Sequence, residues 1–186
     1  MNILISVLEV FKAKMTEPTM YGWFHVMWLI ITVAATVLLC WLFKEGTEKQ
    51  VHRIVFITAI LVTLLEIYKQ IEYTFSVENG QIVSDFQWYA FPFQFCSTPM
   101  YVGLLFGIIR RGKVHEALGA FLASYAIFAG VCVMLYPNTV FVSTMGINIQ
   151  TMVCHGSMIV VGGYLLYTGY VPLKHKTILR AVPVLQ

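Results

Sequence analysis

Charge is scarce in this chain: Asp, Glu, Lys and Arg make up 11% of its 186 residues, where soluble domains carry about a quarter. Set beside 59% hydrophobic residues, that scarcity excludes an ordinary water-soluble fold and excludes charged, low-complexity disorder. The four cysteines form no disulfide framework, and no sustained heptad is present to support a coiled coil. The net charge of +3 is small and scattered, so nucleic acid is not an expected partner. No cofactor motif stands out, and no cofactor is expected.

What is present is long apolar runs. Five are of a length to cross a hydrocarbon core, which needs about 20 mostly apolar residues: 20–43, 54–73, 88–109, 117–136 and 149–170. None shows the period-2 alternation of a barrel strand, and backbone groups in lipid must be satisfied within their own segment, so each reads as a helix. The fold class is all-α, a polytopic transmembrane helical bundle forming one domain over 1–186. Residues 2–11 are too short to span and lack a small-residue cleavage site, so they read as a short helix lying on the membrane surface. The tail, 172–186, turns from basic to apolar and reads as the start of a sixth span.

Lys and Arg collect on the cytoplasmic side of short loops. Lys44, Lys49 and Arg53 follow the first run, Arg110, Arg111 and Lys113 the third, and Lys174, Lys176 and Arg180 the fifth. These fall on one side; Lys12, Lys14 and Lys69 belong to the other half. A cell-membrane protein with its N-terminus outside and its C-terminus cytoplasmic is expected. Trp23, Tyr73, Trp88, Tyr89 and Tyr136 then mark the outer interface. Gly103 with Gly107, and Gly162 with Gly163, read as helix-packing positions.

Ionisable groups inside a span are costly, and each is a functional hypothesis. His25, Glu66, Lys69, Cys96 and His155 are the candidates. At 1.5 Å per residue, four of them (His25, Glu66, Cys96 and His155) lie about 8 to 12 Å below the outer surface. A buried thiol alone is an inert small hydrophobe, but a neighbouring imidazole can take its proton. Cys96 and His155 are therefore read as nucleophile and base. Glu66 either orients an imidazole, that of His155 or of His25, or simply neutralises Lys69 one turn away. Lys69 is expected to snorkel outward. Cys40 and Cys132 read as packing residues, and Cys154 as a poorer mate for His155, because consecutive helical residues point about 100° apart.

Gly22-Trp23-Phe24-His25, the Glu66 to Lys69 segment, Phe91-Pro92-Phe93-Gln94-Phe95-Cys96-Ser97, Leu135-Tyr136-Pro137 and the histidine of the fifth run together resemble the YwaF-like bacterial integral membrane family. That family is similar to the animal transmembrane protein 164, an acyltransferase that moves fatty acyl groups between phospholipids through a cysteine and a histidine. The resemblance implies Cys96 and His155 as the catalytic pair, with membrane lipids as partners. An acyltransferase or acyl hydrolase acting on phospholipid esters is expected, with Glu66 as orienter and His25, Gln94, Ser97 and Lys69 around the substrate. Gln94 or Ser97 would donate to the oxyanion, and Phe91, Phe93 and Phe95 would either line an acyl path or face the lipid as bulk. Two rivals stand beside it: a small-molecule binding or transport subunit without catalysis, and a zinc site of Cys96, His155, His25 and Glu66, which no local ligand pair supports. Self-association into a homo-oligomer stays open.

Overall fold

A computed structural model describes residues 3–172, 179 and 181–184. The chain runs through helices α1 (Ile3–Phe11), α2 (Trp23–Leu42) and α3 (Glu48–Thr74), then a hairpin of strands β1 (Phe75–Glu78) and β2 (Gln81–Ser84). Helices α4 (Thr98–Ile108), α5 (Lys113–Phe121), α6 (Ile127–Leu135) and α7 (Met145–Tyr167) follow. Five stretches are long and apolar enough to cross a membrane: Trp23–Leu42, Glu48–Thr74, Trp88–Ile108, Lys113–Leu135 and Met145–Tyr167. The protein is a multi-pass helical membrane protein. The sixth span expected from 172–186 lies mostly outside the described residues, as do Lys174, Lys176 and Arg180.

Helix α7 is the central element, packed on α2, α3 and α6, while α4 lies along α3. Its role follows from its small and polar residues. Gly156 lies against Thr32 of α2, and Gly130 of α6 lies against the backbone of His155. With no hydrophobic drive between helices in lipid, such close approaches supply the packing contact. A Cβ built on Gly130 would sit 2.7 Å from the His155 carbonyl oxygen and 3.0 Å from Met158 Cβ. Because that oxygen is backbone, it cannot turn aside. Gly130→Ala is therefore expected to lose about 1–3 kcal/mol, read as a lower unfolding midpoint in detergent titration; an unchanged midpoint contradicts this packing.

Three departures from the sequence reading bear on function. The third span is not one helix. Residues 88–90 and 95–97 form single 3₁₀ turns and α4 begins only at Thr98, because Pro92 and Pro99 interrupt the run and Pro99 sits in the first turn of α4. The fourth span carries a π turn at Leu122–Ala126 between α5 and α6. The loop after the second span is a β-hairpin, closed by Asn79 (φ +51°) and Gly80 (φ +74°), the Asn-Gly pair that a tight hairpin with both central residues at positive φ favours.

The bundle has two distinguishable ends. At the hairpin end α1 docks through buried Leu8, Tyr68 Oη donates to the Phe11 carbonyl at 2.8 Å, and Lys12 pairs with Glu72 at 3.5 Å. Apolar Ile3, Leu4 and Val10 of α1 stay exposed, as do Trp23, Trp88, Tyr89 and Tyr136, an arrangement suited to a membrane interface. At the other end, here called the basic end, Lys49, Arg53, Arg110 and Arg111 face one cleft.

Candidate functional site

Cys96 lies in the 3₁₀ turn that delivers the chain into α4, not within a helix. The segment before it is fastened from several directions. Gln70 Nε2 donates to the Ala90 carbonyl at 2.7 Å, Tyr101 Oη to the Pro92 carbonyl at 3.2 Å, and Gln94 Nε2 to the Tyr89 carbonyl. The half-buried Cys96 thiol donates to Gln94 Oε1 at 3.7 Å. Cys154 of α7 donates its thiol to the Cys96 carbonyl at 3.9 Å. The Cys96 turn thus packs on α7 at the residue adjoining His155, although no hydrogen bond joins Cys96 to His155 among the described residues. Cys154, read as the poorer mate for His155, is an α7 residue that meets the Cys96 turn.

The two candidate histidines, His25 and His155, separate by their hydrogen bonds. His25 is fully buried; the Tyr21 N–H donates to its Nδ1 at 2.9 Å, and its Nε2–H donates to the Met134 carbonyl at 2.7 Å. Both ring nitrogens are used, so His25 is a neutral strut between α2 and α6 with no lone pair left for a proton or a ligand. His155 donates Nδ1–H to the Thr151 carbonyl at 2.8 Å. A carbonyl only accepts, so the neutral ring must carry its proton on Nδ1, leaving Nε2 as the basic nitrogen. Nε2 has no hydrogen-bond partner among the described residues, and the zinc set drawn from the sequence lacks a free His25.

Glu66 is buried at the centre of a polar knot. Lys69 Nζ stands 2.8 Å from its Oε1, Gln70 Nε2 donates to the same oxygen at 2.9 Å, and Gln150 of α7 reaches Oε2 at 3.5 Å. Lys69 does not snorkel: its side chain is 10% exposed, and it is paired on its own helix. The imidazole that Glu66 was expected to orient is held instead by the Thr151 carbonyl, and Glu66 bonds to neither histidine among the described residues. Gln70 and Gln150 went unnoticed in the sequence. The i, i+4 spacing of Glu66 and Gln70 was the available signal for the first; a lone amide in the apolar run Ile149-Gln150-Thr151-Met152 was a weaker one for the second.

A groove of about 380 Å³ opens beside this knot between α3 and the Pro92 to Tyr101 segment. Ile67, Ile71, Phe75, Pro92, Met100 and Tyr101 supply apolar walls, and Glu66 and Gln70 edge it. Phe91, Phe93 and Phe95 lie on the exposed surface, with Phe93 stacked on Tyr101 at 5.3 Å. Ser97 is buried, and its hydroxyl caps no backbone group at the start of α4.

Fold and site together define a polytopic helical membrane protein with a buried polar knot around Glu66, beside a groove between two spans. A family model for the TMEM164 family matches residues 20–186, nearly the whole chain, and the protein belongs to that family. No curated protein and no solved structure matches the chain.

Proposed function

We propose that the protein transfers or hydrolyses acyl groups of phospholipid esters in the outer half of the bilayer, with Cys96 as nucleophile and His155 as base. The observation that carries the reading is the His155 tautomer: Nδ1–H is held by Thr151, which leaves Nε2 unprotonated on α7 at the level where Cys154 touches the Cys96 turn. Membership of the TMEM164 family and the apolar groove support it.

The Cys96 thiol leaves Gln94, gives its proton to His155 Nε2, and the thiolate attacks the ester carbonyl carbon. A carbon–sulfur bond forms, the ester carbon–oxygen bond breaks, and the departing lysolipid oxygen takes the proton from His155. A lysolipid hydroxyl or water then gives its proton to His155 and attacks the thioester, which returns the thiolate. The Ser97 hydroxyl, free of any capping bond, donates to the oxyanion, with Gln94 beside it. Glu66, Gln70 and Gln150 brace α3, the Cys96 turn and α7 against one another, and the groove takes the acyl chain. His25 positions α2 and does not touch the substrate. A lipid ester fits this placement, since ester carbonyls lie just beneath the headgroups of a hydrocarbon layer about 30 Å thick.

The test is transfer of a labelled acyl chain from phosphatidylcholine to a lysolipid by the purified protein. Wild type is expected to give labelled product, and Cys96→Ala and Cys96→Ser background only. Transfer that survives both substitutions rejects the nucleophile. Lipid binding without transfer in wild type leaves a binding or transport protein.

The basic end faces the cytoplasm in this reading. Gly46 (φ +54°) and Gly112 (φ +93°) resist a side chain, so cysteine labels belong at Glu45 and Lys113 on that end and at Glu78 and Ser143 on the hairpin end. In intact cells an impermeant maleimide is expected to reach only the latter pair. The reverse pattern would put the site in the inner leaflet.

A further inference from the structure

We propose that the cleft at the basic end binds the phosphate of an anionic lipid, as a site separate from the Cys96 region and independent of the chemistry assigned there. The cleft, of about 1,030 Å³, lies between the start of α3 and the α4–α5 loop. Lys49, Arg53, Arg110 and Arg111 line it, with Glu48 as the one carboxylate, so its lining carries a formal charge of +3. Among the described residues none of the four cations has a carboxylate within 4 Å or a side-chain hydrogen bond. Their charge is not consumed within the fold.

A basic rim by itself is what charge asymmetry gives most membrane proteins. Two further features make a site of this one. His52, 6% exposed, forms part of the wall, and its Nδ1 is buried without a hydrogen-bond partner. The Gly107 backbone bears on that ring without meeting hydrogen-bond geometry. His52 is held by a stack on Phe106 and His115, at 5.0 and 4.8 Å, and by Tyr170 Oη at 3.3 Å from its Nε2, so the ring cannot swing away to satisfy itself. His52 is thus a fixed, buried wall, and the four unpaired cations beside it are the groups that an oxyanion bearing several acceptors would bridge.

The second feature is the order of chemistry along the cleft. Phe56 and the 66% exposed Ile108 belong to the spans and face the lipid side of the same cleft, while Glu48, Lys49, Arg110 and Arg111 lie at its loop side. Apolar wall toward the bilayer and cations toward water match an amphiphile, headgroup outward and chain inward, and not a free ion. The uncapped amides in the first turn of α3 add positive potential on the headgroup side; Thr47 and Gln50 satisfy only two of them. A phosphate carrying an acyl chain is the ligand that uses both halves.

The test compares lipid retention by native mass spectrometry of the full chain in phosphatidylcholine micelles doped with phosphatidic acid or phosphatidylglycerol, at 150 mM salt. R53A/R110A is set against K44A/K113A, which removes the same charge from the same end outside the cleft. Each basic residue near an anionic headgroup contributes roughly fivefold, so retention of anionic lipid is expected to fall about 30-fold in R53A/R110A and less than threefold in the control. Equal loss in the two overturns the proposal in favour of a diffuse field. Glycerol 3-phosphate and inorganic phosphate form the soluble arms. Neither is expected to displace lipid at millimolar concentration, and saturable displacement by either would move the site to a water-soluble phosphate.

Discussion

A lipophilic, acyl-like electrophile will label Cys96 of the purified protein at neutral pH faster than any other cysteine, and His155→Ala will slow that labelling by about 10²- to 10⁴-fold, the contribution of a positioned proton acceptor. The other three thiols are internal standards. Cys40 and Cys154 are buried and Cys132 is exposed, so Cys132 offers more access than half-buried Cys96 and yet has no imidazole near it on its helix. A reagent governed by access alone favours Cys132. One governed by proton removal favours Cys96, and only then does His155→Ala matter. Substituting His25, whose nitrogens are both spent on Tyr21 and Met134, is expected to lower stability and to leave the labelling rate of the folded fraction alone. Mass spectrometry of tryptic peptides after timed quenching gives all four rates in one sample. Equal Cys96 rates with and without His155 would leave a thiol in a pocket, and the binding-protein reading would take over.

The two histidines show what could and could not be read from the residues alone. Both lie at a depth computed from a 1.5 Å rise, and that depth held no information on whether a ring nitrogen was free. The partners that separate them are backbone atoms: a carbonyl one turn back for His155, and for His25 a carbonyl 109 positions away. The five spans were legible because burial in lipid imposes a long apolar run whatever the neighbours do. Where the chain leaves the helix the signals were present but local. Ser97-Thr98-Pro99 is a helix start, with a capping-type residue followed by proline in the first turn, and reading 88–109 as one helix placed Cys96 eight residues inside a helix when it precedes α4. Val77-Glu78-Asn79-Gly80-Gln81-Ile82 is an Asn-Gly hairpin between alternating residues. The π turn at Leu122–Ala126 has no such marker; it lies where the Leu122 carbonyl and Ile127 press on Gly162, a contact between spans that periodicity in one span cannot show.

Glu66 and Lys69 give the largest expected stability effect. Their side chains are 7% and 10% exposed and stand 2.8 Å apart, so neither charge has water to fall back on. Glu66→Leu leaves an ammonium group buried without its counter-ion, and Lys69→Met leaves a carboxylate supported only by Gln70 and Gln150. Removing one partner of a buried pair costs about 3–5 kcal/mol, whereas replacing both by apolar residues of similar size is often neutral. Each single variant should therefore unfold at clearly lower denaturant in mixed micelles, and the double variant E66L/K69M should recover most of the loss, a coupling of several kcal/mol in the cycle. Acyl transfer measured on the same four proteins then divides the role of the pair. If Glu66 and Lys69 serve only to hold α3, the double variant regains activity together with stability. If the Glu66 carboxylate, through Gln150 and Gln70, sets the position of the Cys96 turn against α7, the double variant is stable and slow, with kcat reduced more than KM is raised. We expect the second outcome, because Gln70 links Glu66 to the Ala90 carbonyl and Gln150 links it to α7, and a leucine can replace neither hydrogen bond. Singles and double all as stable as wild type would mean that the pair is hydrated, and the buried polar knot would lose its place in the mechanism.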